Sequence, residues 1–180
     1  MSTERYLVLS ALGPDRPGLV AEVTDYLTLR GVNIEDSRMA ILGAEFGVLL
    51  LMSGSETSLA QVEADRRSLE QKTGLAVVMR PTSSPEEHRR AAVIPGLVTA
   101  EALDHEGIVR AVAVAIARMG INIVSLETAA YNAPVTGSPL FRLEVHVDLP
   151  RGISLAQLRA QMAEVARAEN LDIDVRSLVV

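Results

Sequence analysis

The chain has 180 residues, 48% hydrophobic and 22% charged, a composition that excludes disorder, collagen-like repeats and a membrane-embedded bundle. It contains no cysteine, which removes disulfides, thiolate zinc sites, iron–sulfur clusters and a cysteine nucleophile. The net charge of −6 divides evenly, with 10 basic against 13 acidic residues through Arg90 and 7 against 10 after it, so neither half is built to neutralise a phosphate backbone.

Met1 to Tyr6 lacks the basic start and apolar run of a signal peptide, and the longest uncharged apolar runs, Phe46 to Met52 and Ala91 to Leu97, are far short of the ~20 residues that cross a bilayer. A soluble, cytoplasmic protein with no membrane partner is expected. A mostly apolar strand, Tyr6 to Ala11, opens the chain. Asp15 and Pro17 mark the start of a helix in which Leu19, Val20, Val23 and Leu27 recur at helical spacing, and Gly31 stops it. A strand begins at Asn33-Ile34, a second pairs back through Phe46 to Met52, a helix runs from about Ser58 to Thr73, and a strand spans Leu75 to Arg80. Pro81 to Arg90, rich in proline and charge, reads as a linker.

The same order then repeats. Gly96 to Ala102 is a strand, and Asp104, Ile108, Val109, Val112, Ile116 and Gly120 reproduce the first helix. A strand starts at Asn122-Ile123, Tyr131 to Pro139 is a loop rich in Pro, Gly and Asn, and Leu140 to Leu149 alternates with Leu143, Val145, Val147 and Leu149 on one face. A helix from Ser154 to Glu169 and a strand from Leu171 to Val179 close the chain. Sequence identity supports a duplication: at an offset of 89, seven of the twenty positions from Asp15 to Ile34 match, and at 96 Ser58-Leu-Ala-Gln61 falls on Ser154-Leu-Ala-Gln157.

Strand, helix, strand, strand, helix, strand is the split βαβ order, an α+β unit with a four-stranded antiparallel sheet and both helices on one face. Two units are expected, 1–81 and 95–180, joined by a linker at 82–94. The uncovered face of each sheet is expected to be apolar and to need a cover, from the other unit or from a partner. A homodimer is expected on that ground.

Gly13-Pro-Asp-Arg-Pro-Gly-Leu-Val20 followed by Arg30-Gly-Val-Asn-Ile34 resembles the signature of ACT domains, small ferredoxin-like modules that bind amino acids and regulate other proteins. Asn33-Ile-Glu-Asp-Ser-Arg-Met-Ala40, Gly43-Ala-Glu-Phe46 and Pro139-Leu-Phe141 are similar to the tandem-ACT family of glycine cleavage system transcriptional repressors, and the resemblance covers nearly the whole chain. It implies a protein with no enzyme activity, no cofactor and no DNA-binding domain, which acts by contact with a DNA-binding activator, with glycine as the small-molecule effector. An alternative is a regulatory subunit of an amino-acid biosynthetic enzyme, similar to the acetolactate synthase small subunit, whose second half does not repeat its first.

The turn before the first helix offers free amide groups and a helix dipole to a carboxylate, and Gly13 and Gly18 let the backbone approach it closely. Asn33 adds one acceptor and two donors suited to an amino acid's charged groups. The resemblance carries the ligand site onto Asp15, Gly18, Leu19, Asn33 and Ile34, and in the second copy onto Asp104, Gly107, Ile108, Asn122 and Ile123, with turn and strand supplied by neighbouring copies. Each has a structural reading beside it: Asp15 and Asp104 as helix caps, the glycines as turn formers, Asn33 and Asn122 as closers of the helix-to-strand turn. His105-Glu106 replaces Arg16-Pro17 in the second copy, and Glu106 would repel an anion, so the first copy is the stronger site. Asp36-Ser37-Arg38 and Glu45 read either as a partner-recognition surface or as a solvated strand edge. Glu144, His146 and Asp148 share a strand face but read as a solvent stripe, and no metal is expected. No Gly-x-Ser-x-Gly elbow and no phosphate-binding loop occurs, the chain's one lysine being Lys72.

Overall fold

Alternation along the inner strands buries about every second side chain, and the longer helices bury one stripe each, so the element order above condenses into two separate cores. A computed structural model describes residues 4–88, 93–134 and 136–178, and divides the chain into two compact units, Met1–Arg89 and Arg90–Val180. The first contains β1 (Arg5–Pro14), α1 (Leu19–Thr28), β2 (Asn33–Leu42), β3 (Glu45–Gly54), α2 (Glu56–Ala64), α3 (Arg66–Thr73), β4 (Ala76–Thr82) and the one-turn α4 (Pro85–His88). The second contains β5 (Ile94–Leu103), α5 (Ile108–Arg118), β6 (Asn122–Asn132), β7 (Pro139–Leu149), α6 (Leu155–Glu169) and β8 (Asp172–Ser177). Both sheets are four-stranded and antiparallel, ordered β2-β3-β1-β4 and β6-β7-β5-β8, which is the ferredoxin-like βαββαβ arrangement. Part of the expected linker, residues 89–92, lies outside the described residues; the rest holds the end of β4, α4 and the start of β5.

Leu9, Leu27, Leu50 and Leu69 are fully buried in the first core, and Val98, Ile116, Leu143 and Leu158 in the second. The buried face of β7 is Leu143, Val145, Val147 and Leu149, as the alternation predicts. The loop after β6 is shorter than the expected Tyr131 to Pro139, because the hairpin ladder runs on to the pair Asn132–Pro139.

The expected single helix from Ser58 to Thr73 is instead two helices that meet at Asp65. Arg30 explains the break: its guanidinium lies 3.7 Å from the Tyr26 ring centroid, its Nη2 donates to Asp65 Oδ2 at 3.1 Å, and the Tyr26 hydroxyl donates to the Val62 carbonyl at 3.3 Å. In a continuous helix that carbonyl would receive the amide of Arg66. Ala115 and Met119 stand at the equivalent positions of the second unit, and there α6 runs unbroken for 15 residues. Its capping box is complete, Ser154 accepting from the Gln157 amide while the Gln157 side chain accepts from the Ser154 amide.

The two sheet faces left uncovered by helices differ in chemistry. In the first unit Leu12, Leu49 and Val78 stand exposed there around Val8 and Leu51, the apolar face expected from sequence. In the second, the corresponding face carries Thr99, Glu101, Arg142, Glu144, His146, Asp174 and Arg176 around Leu97, the solvent stripe expected at Glu144, His146 and Asp148 and not the apolar face expected of each sheet. The same alternation that buries Leu143 and Val145 turns these charges outward.

Candidate functional site

The turn that enters α1 is set by Gly18, whose φ of 92° is a left-handed conformation that a side chain would strain. Gly107 repeats it at 97° before α5. Neither helix has a side-chain cap, so its first-turn amides meet no carboxylate or hydroxyl from the N-cap residue. This corrects the capping reading of Asp15 and Asp104, which lie three positions before the N-cap. Their backbone amides instead close the loop, Asp15 donating to the Ala44 carbonyl at 2.9 Å and Asp104 to that of Pro139 at 3.0 Å.

An open cleft of about 350 Å³ sits at this turn in the first unit, lined by Asp15, Arg16, Pro17, Gly18, Leu19, Val20, Ile41 and Phe46. Leu19 and Phe46 are core residues that form its floor, whereas Val20 is 44% exposed and Ile41 57% exposed on its walls. At ~100° per residue Val20 lies only about 20° past Leu27, at the edge of the apolar stripe of Leu19, Val23 and Leu27, yet in the first turn of the helix it stands exposed. Spacing alone gave no signal for a wall residue. Val109, 37% exposed after buried Ile108, repeats the pattern in the second unit.

Arg16 brings a cation to the cleft, yet its guanidinium is held in a two-pronged ion pair with Glu22 of the first helical turn at 2.7 and 2.6 Å. This bond holds the Glu22 carboxyl below, and the Arg16 guanidinium above, their ordinary ranges. Arg16 Nη2 also donates to the Lys72 carbonyl near the end of α3 at 3.3 Å. His105 takes over this role in the second unit, Nδ1 lying 3.0 Å from the Glu106 carbonyl and Nε2 3.2 Å from the Glu169 carbonyl near the end of α6. Two carbonyls facing both ring nitrogens favour the protonated imidazolium, and the Glu106 carbonyl foremost, then those of Glu169 and the nearby acids, raises its pKa.

Gly13 is not among the residues that line the cleft. A Cβ there would stand 2.9 Å from the Gly74 carbonyl oxygen, so the close approach that glycine permits is between β1 and the α3–β4 turn.

Asn33 and Ile34 lie elsewhere. The ladder pairs Asn33 with Ser53 and Ser53 with Tyr6, whereas Gly13 pairs with Phe46 and Phe46 with Ile41. Seven residues of β1 and β3 separate the two rows, roughly 23 Å at ~3.3 Å per residue. The structure therefore brings Asp15, Gly18 and Leu19 together at one end of the sheet and places Asn33 and Ile34 at the other, and the second unit separates Asp104, Gly107 and Ile108 from Asn122 and Ile123 in the same way. At that far end the Asn33 amide donates to Glu35 Oε1 at 2.7 Å, and the buried Ser53 hydroxyl donates to the same oxygen at 2.5 Å. These donors, Ser53 first, lower the pKa of Glu35, which occupies a bulge between Ile34 and Asp36. Sequence reasoning passed over Glu35 because its partner Ser53 is brought in from β3.

No cluster of three or more His, Asp or Glu able to hold a metal occurs among the described residues, and none of their helices is long and apolar enough to cross a membrane.

Two family models match the chain, both described as ACT domain, at residues 5–80 and 92–176. The Glycine cleavage system transcriptional repressor of Escherichia coli (strain K12) is 40% identical over 84 residues, 47% of this chain and 44% of that protein. The match thus spans less than half the length of that relative. Among solved structures, an unknown protein from Galdieria sulphuraria is 30% identical with a TM-score of 0.80, covering 98% of this chain and 99% of the other. A candidate glycine cleavage system transcriptional repressor is 28% identical with a TM-score of 0.75, covering 99% and 100%.

Proposed function

Because the chain belongs to the ACT-domain family, two copies in tandem, we propose that it is an amino-acid-responsive regulatory protein of the glycine cleavage system transcriptional repressor type. The observation that carries this reading is the uncapped, glycine-entered N-terminus of α1 opening on a cleft with apolar walls. Amides of the first turn receive the ligand's carboxylate, and Arg16, released from Glu22, adds its charge. Gly18, Leu19 and Asp15 contact the ligand, and Asp15 accepts from its ammonium group. Asn33 and Ile34 reach such a ligand only from another copy of the fold. Gly107, Ile108 and Asp104 form a weaker counterpart in the second unit, where Glu106 stands in place of Pro17. Glycine is the ligand that the similarity favours.

Regulation in this reading proceeds through protein contact and without catalysis, in the cytoplasm, as a homodimer. The partner is a DNA-binding activator protein, and a net charge of −6 argues against direct contact with nucleic acid. A ligand shifts such a contact only by binding one conformation more tightly than the other.

The test is a thermal-shift screen against the twenty amino acids, followed by calorimetry. A ligand at 100 times its Kd adds ~2.7 kcal/mol, which raises the midpoint of a chain this long by roughly 5 to 10 °C. A shift with glycine that Gly18→Ala abolishes supports the reading. No shift and no heat with any amino acid refutes it.

A further inference from the structure

The open face of the first sheet can be written as a grid, because the ladders fix which side chains stand side by side. Reading across β4, β1, β3 and β2, its rows are Ala76, Leu12, Gly47, Ala40; then Val78, Ser10, Leu49, Arg38; then Arg80, Val8, Leu51, Asp36. Apolar groups fill the middle of these rows, with Leu12, Leu49 and Val78 exposed, and their charge lies at the two edges, Arg80 on β4 and the Asp36–Arg38 ion pair on β2, while Glu45 closes the face at the end of β3.

A two-fold axis lying along the strands keeps each row and reverses the columns. Under that operation Leu12 of one copy stands over Gly47 of the other and Leu49 over Ser10, large groups over small ones, while Val8 meets Leu51 and Val78 stands over Arg38. Arg80 stands over Asp36 on both edges, setting a second guanidinium beside a carboxylate that Arg38 already holds below its ordinary pKa range. The surface is complementary to itself in shape at two of its three middle pairs, and in charge where Arg80 meets Asp36.

The second unit fails the same test. Its row Asp174, Thr99, Glu144, Glu127 would set Asp174 over Glu127, acid over acid, and a face carrying the Arg142–Glu144 and Arg176–Asp174 ion pairs desolvates charge against any apolar partner.

We propose that two copies of the chain pair face to face through the first unit's sheet, about an axis along its strands. This rests on the homodimer reading above and names the surface. Four strands by about eight residues make a footprint of roughly 19 Å by 25 Å, on the order of 1,000 Å² counting both copies, at the lower limit for a specific interface.

The absence of cysteine makes the test direct. In the double variant Asp36→Cys with Arg80→Cys, the facing positions of two copies lie ~10 Å apart across the stacked sheets, beyond a disulfide but within reach of a short bis-maleimide, and the two positions of one chain are three strand spacings apart, ~14 Å. The bis-maleimide is expected to give a covalent dimer and nothing longer. No cross-linked dimer, or a ladder of higher polymers, overturns the pairing. Leu49→Asp, at an exposed site and with unchanged far-ultraviolet dichroism, is expected to convert the dimer to monomer in sedimentation equilibrium, and survival of the dimer overturns the proposal as well. A monomeric wild-type chain refutes both the homodimer reading and the face; a dimer that fails to cross-link refutes the face alone.

Discussion

Gly13→Ala measures how tightly β1 is pressed against the turn that follows α3. The added Cβ would lie 2.9 Å from the Gly74 carbonyl oxygen, 3.1 Å from Leu75 Cδ2 and 3.2 Å from Leu75 Cα. Two of these neighbours are backbone, and Leu75 is only 2% exposed, so relief requires the strand or the turn to move. Overpacking of this kind costs about 1–3 kcal/mol, and the lower chain entropy of alanine in the unfolded state returns ~0.4–1 kcal/mol, leaving about 1–2 kcal/mol of destabilisation. For a unit of this size that lowers the midpoint by roughly 5 to 15 °C. Thermal unfolding followed by far-ultraviolet dichroism reads the effect, with Gly54→Ala as the control, since every neighbour of a Cβ there lies at 3.5 Å or beyond. If Gly13→Ala is as stable as Gly54→Ala, the reasoning from close approach is wrong.

Ser154→Ala removes the side-chain half of the α6 capping box, the bond its hydroxyl accepts from the Gln157 amide, and should cost the second unit about 1 kcal/mol, seen as a lower urea midpoint. His105 binds its proton more tightly folded than unfolded, so its contribution is complete below the unfolded pKa of ~6.5 and is lost as pH rises through the higher folded value. Urea midpoints of wild type should therefore exceed those of His105→Gln at about pH 5 and converge with them toward pH ~8; a constant difference would refute the two-carbonyl role. Glu22 has the opposite sign: the Arg16 bond lowers its pKa, so its contribution is present at neutral pH and lost as pH falls through the folded value. Arg16→Gln should raise the Glu22 pKa in an NMR titration, and an unchanged titration would show that the ion pair does not persist in solution.

Local signals carried the fold a long way. Gly31 and Gly120 adopt the left-handed conformations expected of residues that end helices, at φ of 67° and 68°. Alternation placed the buried face of β7, and the two-copy alignment gave the order of the elements. The candidate site was legible in part: Gly18 and Gly107 were located as turn glycines, but their neighbours Val20 and Val109 were misplaced on the core stripe because spacing alone does not show which side of a helix meets the sheet.

What the sequence determined by itself rests on interactions within a few residues: strand alternation, helix periodicity, the left-handed glycines and the Ser154–Gln157 box. Tertiary structure alone decided what depends on partners tens of residues away. Arg30 and Tyr26 reach 35 and 36 residues along the chain to Asp65 and Val62 and break a helix that local propensity would continue. Gly74 claims the space at Gly13, and Ser53 holds Glu35. The distance between the Gly18 turn and Asn33 follows from the same cause. Only 15 residues part them in sequence, but the 10 residues of α1 carry the chain ~15 Å along the sheet between them, so chain neighbours become opposite ends of the fold.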